Sequence, residues 1–171
     1  MNVAVVEWRS VRIARVALLS LQAFVAITAL LGGSALIIGS VVPGLRSVLV
    51  PPDDYLAGSP FSSYLVPGVL LIVLVSALHA VGFWALKSGS RWATLLAATG
   101  GFACLIWIAV QMIFIPFSFL QALYFAIGLA EVGLTMVLLG ILDASPLPHR
   151  STYRAAHDSA AVSPQQRPAS R

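Results

Sequence analysis

Two ionisable side chains stand inside long apolar runs, and any chemistry of this chain begins with them. Glu131 interrupts the apolar stretch from Ser118 to Leu142, and His79 interrupts the one from Phe61 to Leu86. A carboxylic acid and an imidazole held away from water can relay a proton or couple its movement to a substrate. They can also hydrogen-bond two helices together, a contact worth about 0.6–2 kcal/mol in a membrane and the simpler reading. Transport would require more, namely a water-accessible cavity reaching Glu131. A second group is amide and aromatic: Trp107, Gln111, Gln121 and Tyr124, with Tyr64 and Ser59 at similar depth. Aromatic walls with amide donors suit a lipid head group or a quinone. The structural alternatives are a capping box for Gln121, three residues after Ser118, and an interhelical amide bond for Gln111.

Other chemistries lack their residues. There is no HExxH, no legible serine, histidine and acid trio, and no glycine-rich phosphate loop before a helix. A haem between helices needs two axial ligands, and the apolar runs hold only His79. Asp53-Asp54 offers too few oxygens for a hard cation and reads as a solvated turn. Cys104, the single cysteine, can form neither an internal disulfide nor a CxxC pair. The expectation is a non-enzymatic protein with no metal and no cofactor.

The elements that position these residues follow from spacing and composition. Gln121, Tyr124, Gly128, Glu131 and Thr135 recur at gaps of three and four, which places them on one helix face. Lipid cannot satisfy that face, so protein must surround it. Of the 171 residues 59% are hydrophobic and 9% charged, against roughly a quarter charged in soluble domains. Four spanning helices are expected at about 16–42, 61–86, 92–115 and 119–142. A basic arm (1–15), a proline-rich loop (43–60) and a disordered tail (143–171) complete the chain. The first run is too long for a signal h-region and reads as an uncleaved helix. Ser59-Pro60 reads as the cap and first position of the second helix.

Basic residues cluster at the ends of these segments. Arg9, Arg12 and Arg15 precede the first helix, Lys87 and Arg91 lie in the second turn, and Arg150, Arg154, Arg167 and Arg171 lie in the tail. The 43–60 loop has only Arg46, so both termini belong on the cytoplasmic side. This distribution, with no aromatic interleaving, also argues against nucleic acid as a partner. Trp8, Trp84 and Trp92 at one face, with Tyr55, Phe61, Tyr64, Phe117 and Phe119 at the other, would form interfacial belts. Seams through Gln22–Val25–Ala29–Gly32–Leu36–Gly39, Gly68–Ile72–Val75–His79–Gly82 and Ala93–Ala97–Gly100–Cys104–Trp107–Gln111 face the fourth helix's stripe. The fold class is therefore all-α, an integral membrane antiparallel four-helix bundle. A second small face on the fourth helix, Ala122, Ala126, Ala130, Gly133 and Gly140, would pack another helix or a second subunit.

Ser59-Pro60-Phe61, Tyr64, Pro67-Gly68, Trp107-Ile108, Gln111, Gln121, Tyr124 and Gly128 together form a pattern. It resembles that of small four-helix bacterial membrane proteins with no assigned activity. The resemblance covers roughly residues 30–130 and implies a bacterial inner-membrane location without a mechanism. It includes neither Glu131 nor His79, which shifts weight to the Trp107, Gln111, Gln121 and Tyr124 group. The expected function is an accessory or scaffold component in the bilayer, packing with other membrane proteins or with itself. The alternative is a small transporter, or a bundle binding a lipid- or quinone-type ligand, through Glu131 and His79 or through the Gln111, Gln121 and Tyr124 group.

Overall fold

The computed structural model describes residues 3–140, and side chains from Ser10 onward. The expected tail (143–171), the last residues assigned to the fourth helix, and the side chains of Trp8 and Arg9 lie outside this range. Every element among the described residues is helical. Helix α1 runs Val3–Val41, α2 Leu65–Ser88, α3 Ala93–Phe114 and α4 Phe119–Leu138. Each contains a stretch of 20 to 32 residues apolar enough to cross a membrane, on length and composition. At ~1.5 Å rise per residue each reaches about the ~30 Å of a hydrocarbon core.

Three boundaries differ from the sequence expectation. No break separates the basic arm from the first span, because residues 3–15 hold neither glycine nor proline. Arg15 lies on that continuous helix and donates from Nη2 to the carbonyl of Leu86 at 2.7 Å, covering an end of α2. The second helix starts at Leu65, and Ser59-Pro60 belongs to the loop, where the Ser59 hydroxyl accepts the Phe61 N–H at 3.3 Å. Pro67 explains the shift. A start near Phe61 would bury it in the helix interior, whereas a start at Leu65 puts its missing N–H in the unbonded first turn. The fourth helix ends at Leu138, followed by Gly140 in the left-handed region at φ +66°.

The loop is also more structured than a plain turn. Short helical turns at Pro43–Leu45, Arg46–Leu49 and Asp53–Leu56 fold it back, and Arg46 pairs with Asp53. Tyr64 was expected in an interfacial belt but is only 4% exposed, since its hydroxyl donates to the carbonyl of Pro52 at 2.7 Å and pins the loop to α2. Burial first, and then the charge of Asp53, push its phenol above the ordinary range, so it stays a donor. Trp84 and Trp92 are exposed beside Lys87 and Arg91, which lie over their rings.

The helices make a closed ring of contacts: α1 with α2, α2 with α3, α3 with α4, and α4 back to α1. Glycine permits the closest approaches. A Cβ on Gly33 would stand 2.7 Å from the carbonyl oxygen of Gly68, and one on Gly68 would stand 2.8 Å from that of Gly33. Gly101 and Gly128 play the same part between α3 and α4, at 3.4 and 3.3 Å. Hydrophobic attraction between helices is weak in lipid, so this backbone proximity is what dispersion can exploit.

Inside the ring the core is layered. Leu18, Ala85, Leu86, Ala93 and Ala97 form an apolar cluster toward the end carrying Arg15 and Lys87. Val25, Ala29, Val75, Cys104 and Ile108 form another toward the loop end. Between the two clusters lies a polar layer. Just before this layer, at the level of the loop-end cluster, helix α2 passes through a π-helical turn, Leu71–Ser76. The extra residue of a π-turn changes helical phase, and here both Val75 and Ser76 are buried, with the Ser76 hydroxyl donating to Ala26 O on α1 at 2.7 Å.

Candidate functional site

The polar layer brings His79 and Glu131 together. Their side chains are fully buried, with His79 Nε2 3.0 Å from Glu131 Oε2. His79 Nδ1 lies 2.7 Å from the carbonyl of Val75, one turn earlier on α2. A carbonyl only accepts, so Nδ1 carries a hydrogen and donates. If the ring is neutral, Nε2 is then a bare lone pair and the carboxyl group must supply the proton between them. If the ring is doubly protonated, the carboxylate accepts. Either way, one proton lies between Nε2 and Oε2.

Gln22 completes the layer, an amide that seam spacing had marked only as a packing position. Its Nε2 donates to Ala97 O on α3 at 3.0 Å. Gly82 and Gly100 make room for it: a Cβ on either would stand 2.5 or 3.2 Å from the Gln22 oxygen. Two glycines at seam positions facing a lone glutamine are the signal that could have revealed it. Gln22 Oε1 and Glu131 Oε1 are buried without a hydrogen-bond partner among the described residues. Thr135 is buried too, but its hydroxyl donates to Val132 on its own helix at 2.6 Å, and Thr99 is exposed.

The amide and aromatic group lies toward the loop end, around a cavity of about 250 Å³. Trp107 and Gln111 on α3 face Gln121 and Tyr124 on α4 across it, with Ala29 and Gly32 on the α1 wall. The capping box forms: the Ser118 hydroxyl accepts the Gln121 N–H at 3.3 Å, and Gln121 Oε1 accepts the Ser118 N–H at 2.9 Å. No interhelical amide bond holds Gln111; among the described residues its side chain has no hydrogen-bond partner, and it keeps partial exposure. The same is true of the Trp107 indole N–H and the Tyr124 hydroxyl, whose ring stacks on Phe24 of α1 at 6.2 Å. Tyr64 lines an adjoining cavity of about 170 Å³, which shares Trp107, Gln111 and Ile115 with the first.

The structure thus sorts the sequence candidates into two places. Trp107, Gln111, Gln121 and Tyr124 share one cavity, Tyr64 lines its neighbour, and Glu131 and His79 line neither. These cavities do not provide the water-accessible path to Glu131 that transport would require, because neither has Glu131 or His79 on its wall. Among the described residues no group of three His, Cys, Asp or Glu side chains could hold a metal ion. The small face of α4 at Ala122, Ala126 and Ala130 is exposed, not packed against another of the described helices.

What fold and site define is a class: an all-helical protein with four helices of membrane-crossing length and composition, a sealed polar layer and an apolar cavity beside it. Comparison with protein-family models, with curated proteins and with solved structures returns no match.

Proposed function

We propose that this chain is a non-enzymatic bacterial inner-membrane protein that holds a lipid- or quinone-type ligand. It is an antiparallel four-helix bundle with both termini cytoplasmic, and the ligand site is the cavity lined by Trp107, Gln111, Gln121 and Tyr124. The observation that carries this reading is the cavity's chemistry. Its wall is mostly apolar, with an indole, two amides and a phenol beside the Thr28 and Ser118 hydroxyls and the Cys104 thiol, and the indole, the Gln111 amide and the phenol make no side-chain hydrogen bond within the described protein. A few convergent polar groups on an apolar wall are the usual make-up of a small-molecule site. An accessory or scaffold role asks only for packed seams and gives such a cavity no purpose. Transport through His79 and Glu131 has the weaker support, since both are sealed between two apolar clusters.

Filling the cavity tests the reading. A Cβ on Gly32 meets only the Leu71 side chain, at 3.6 Å, so Gly32→Leu projects into the cavity without a backbone clash. Protein purified in mild detergent should carry a near-stoichiometric apolar small molecule by mass spectrometry of its organic extract, and Gly32→Leu should reduce that recovery at least ten-fold. Val81→Leu, on an exposed face, is the control. Equal recovery from both variants would refute ligand binding in this cavity. Orientation is tested separately in a Cys104→Ala background: a cysteine at exposed Asp54 should react with an impermeant maleimide in intact spheroplasts. One at exposed Ser88 should react only after lysis, and the reverse pattern would invert the topology.

A further inference from the structure

We infer that the head group taken by this cavity is uncharged and accepts hydrogen bonds, as a quinone or ester carbonyl does, and that an ionised head group is refused. The inference rests on the ligand-binding reading above and deepens it by an inventory of donors and acceptors. Trp107 offers an N–H and no acceptor. Gln121 has its oxygen committed to the Ser118 N–H at 2.9 Å, so the cavity meets its amide hydrogens. Gln111 adds an unpaired amide and Tyr124 an unpaired hydroxyl. Of the other polar groups on the wall, the Ser118 oxygen already accepts the Gln121 N–H at 3.3 Å, and two more are committed to backbone carbonyls. The Thr28 hydroxyl donates to Phe24 O at 2.8 Å, and the Cys104 thiol donates to Tyr124 O at 3.5 Å. Donors therefore outnumber free acceptors, and what satisfies them is an oxygen with lone pairs.

Charge is excluded by the same residues. Neither cavity has a charged side chain on its wall. A phosphate entering would lose its water without gaining a counter-charge, and an ammonium would meet no carboxylate. The adjoining cavity of about 170 Å³ meets the first at Trp107, Gln111 and Ile115, and its wall of Leu36, Leu70, Val110 and Phe114 suits the ligand's apolar body.

The test uses the full chain in phosphatidylcholine nanodiscs, with a decyl-substituted benzoquinone as the probe and Trp107 fluorescence as the signal. Trp8, Trp84 and Trp92 are replaced by phenylalanine. Quenching should saturate, and Gln111→Leu, which leaves the fluorophore in place, should weaken the probe about ten-fold. Competitors then divide the possibilities. Relief of quenching by didecanoylglycerol shows that any neutral carbonyl head is accepted; without it, but with saturable quenching, the site is narrowed to the quinone. Either result supports the inference. Equal relief by decylbenzene would show an apolar cavity without acceptor recognition, and equal relief by dihexanoyl phosphatidylglycerol would show that charge is tolerated. Each of these overturns the inference while leaving ligand binding intact. No saturable quenching, together with no change in melting temperature from any compound, would sink both.

Discussion

His79→Leu is expected to destabilise the folded protein by about 3 kcal/mol, while Glu131→Gln costs about 1 kcal/mol or less. The difference follows from which atoms are left alone. Removing the imidazole strands a fully buried carboxyl group whose Oε1 already lacks a partner, so neither oxygen is paired among the described residues. Removing one partner of a buried pair costs ~3–5 kcal/mol in soluble proteins, and the lower end applies between spanning helices, whose interhelical bonds are weaker. Glutamine at 131 instead keeps the contact, for its amide N–H can donate to Nε2 while Nδ1 still donates to Val75 O. The check is a denaturant titration of each variant in bicelles, where 3 kcal/mol corresponds to a shift of about 100-fold in the unfolding equilibrium. Equal destabilisation by the two substitutions would show that a shared hydrogen bond is not what the pair provides.

That asymmetry also marks how far spacing alone can reach. Gaps of three and four placed Glu131, Thr135 and Gln121 on one face of α4, and that face is buried. Spacing registers each helix against its own axis, so the depth at which two helices meet is a tertiary fact. Residue type alone pairs His79 with Glu131 in the sequence, and their contact at 3.0 Å lies just past the π-turn that re-phases α2. No local sequence signal marks that turn. The Ser59-Pro60 start was misleading for the opposite reason: the local cap signature is sound, but Pro67 forbids the helix it would begin. The cavity was legible only as a list of residues at matching depth. Whether Gln111 meets another helix or an open space is a tertiary fact, and here it meets a cavity that Ile115 and Leu120 also line.

Gly33→Leu carries the second large expected effect, a loss of about 3 kcal/mol or more, because the obstacle is backbone. A Cβ there would stand 2.6 Å from Ile72 Cγ1 and 2.7 Å from the Gly68 carbonyl oxygen. A side chain can turn aside, but a helical carbonyl cannot move without moving α2. Overpacking in well-packed cores costs ~1–3 kcal/mol when neighbours can yield, so a rigid neighbour belongs at the top of that range or beyond. The separation would also spread along α2 toward Val75, whose carbonyl receives His79 Nδ1 and whose side chain lines the cavity. The same substitution should therefore weaken the benzoquinone probe, although Gly33 is not on the cavity wall. Gly44→Leu, in the loop with nothing within 4 Å of its would-be Cβ, should leave stability within about 0.5 kcal/mol of wild type. A cross-link between cysteines at Ala29 and Leu71 gives a structural readout. Both face the cavity from α1 and α2, and the Gly33 variant should slow its formation. If Gly33→Leu lowers stability yet leaves both cross-linking and probe affinity unchanged, α2 has absorbed the clash locally. The Gly33–Gly68 crossing would then be independent of the cavity.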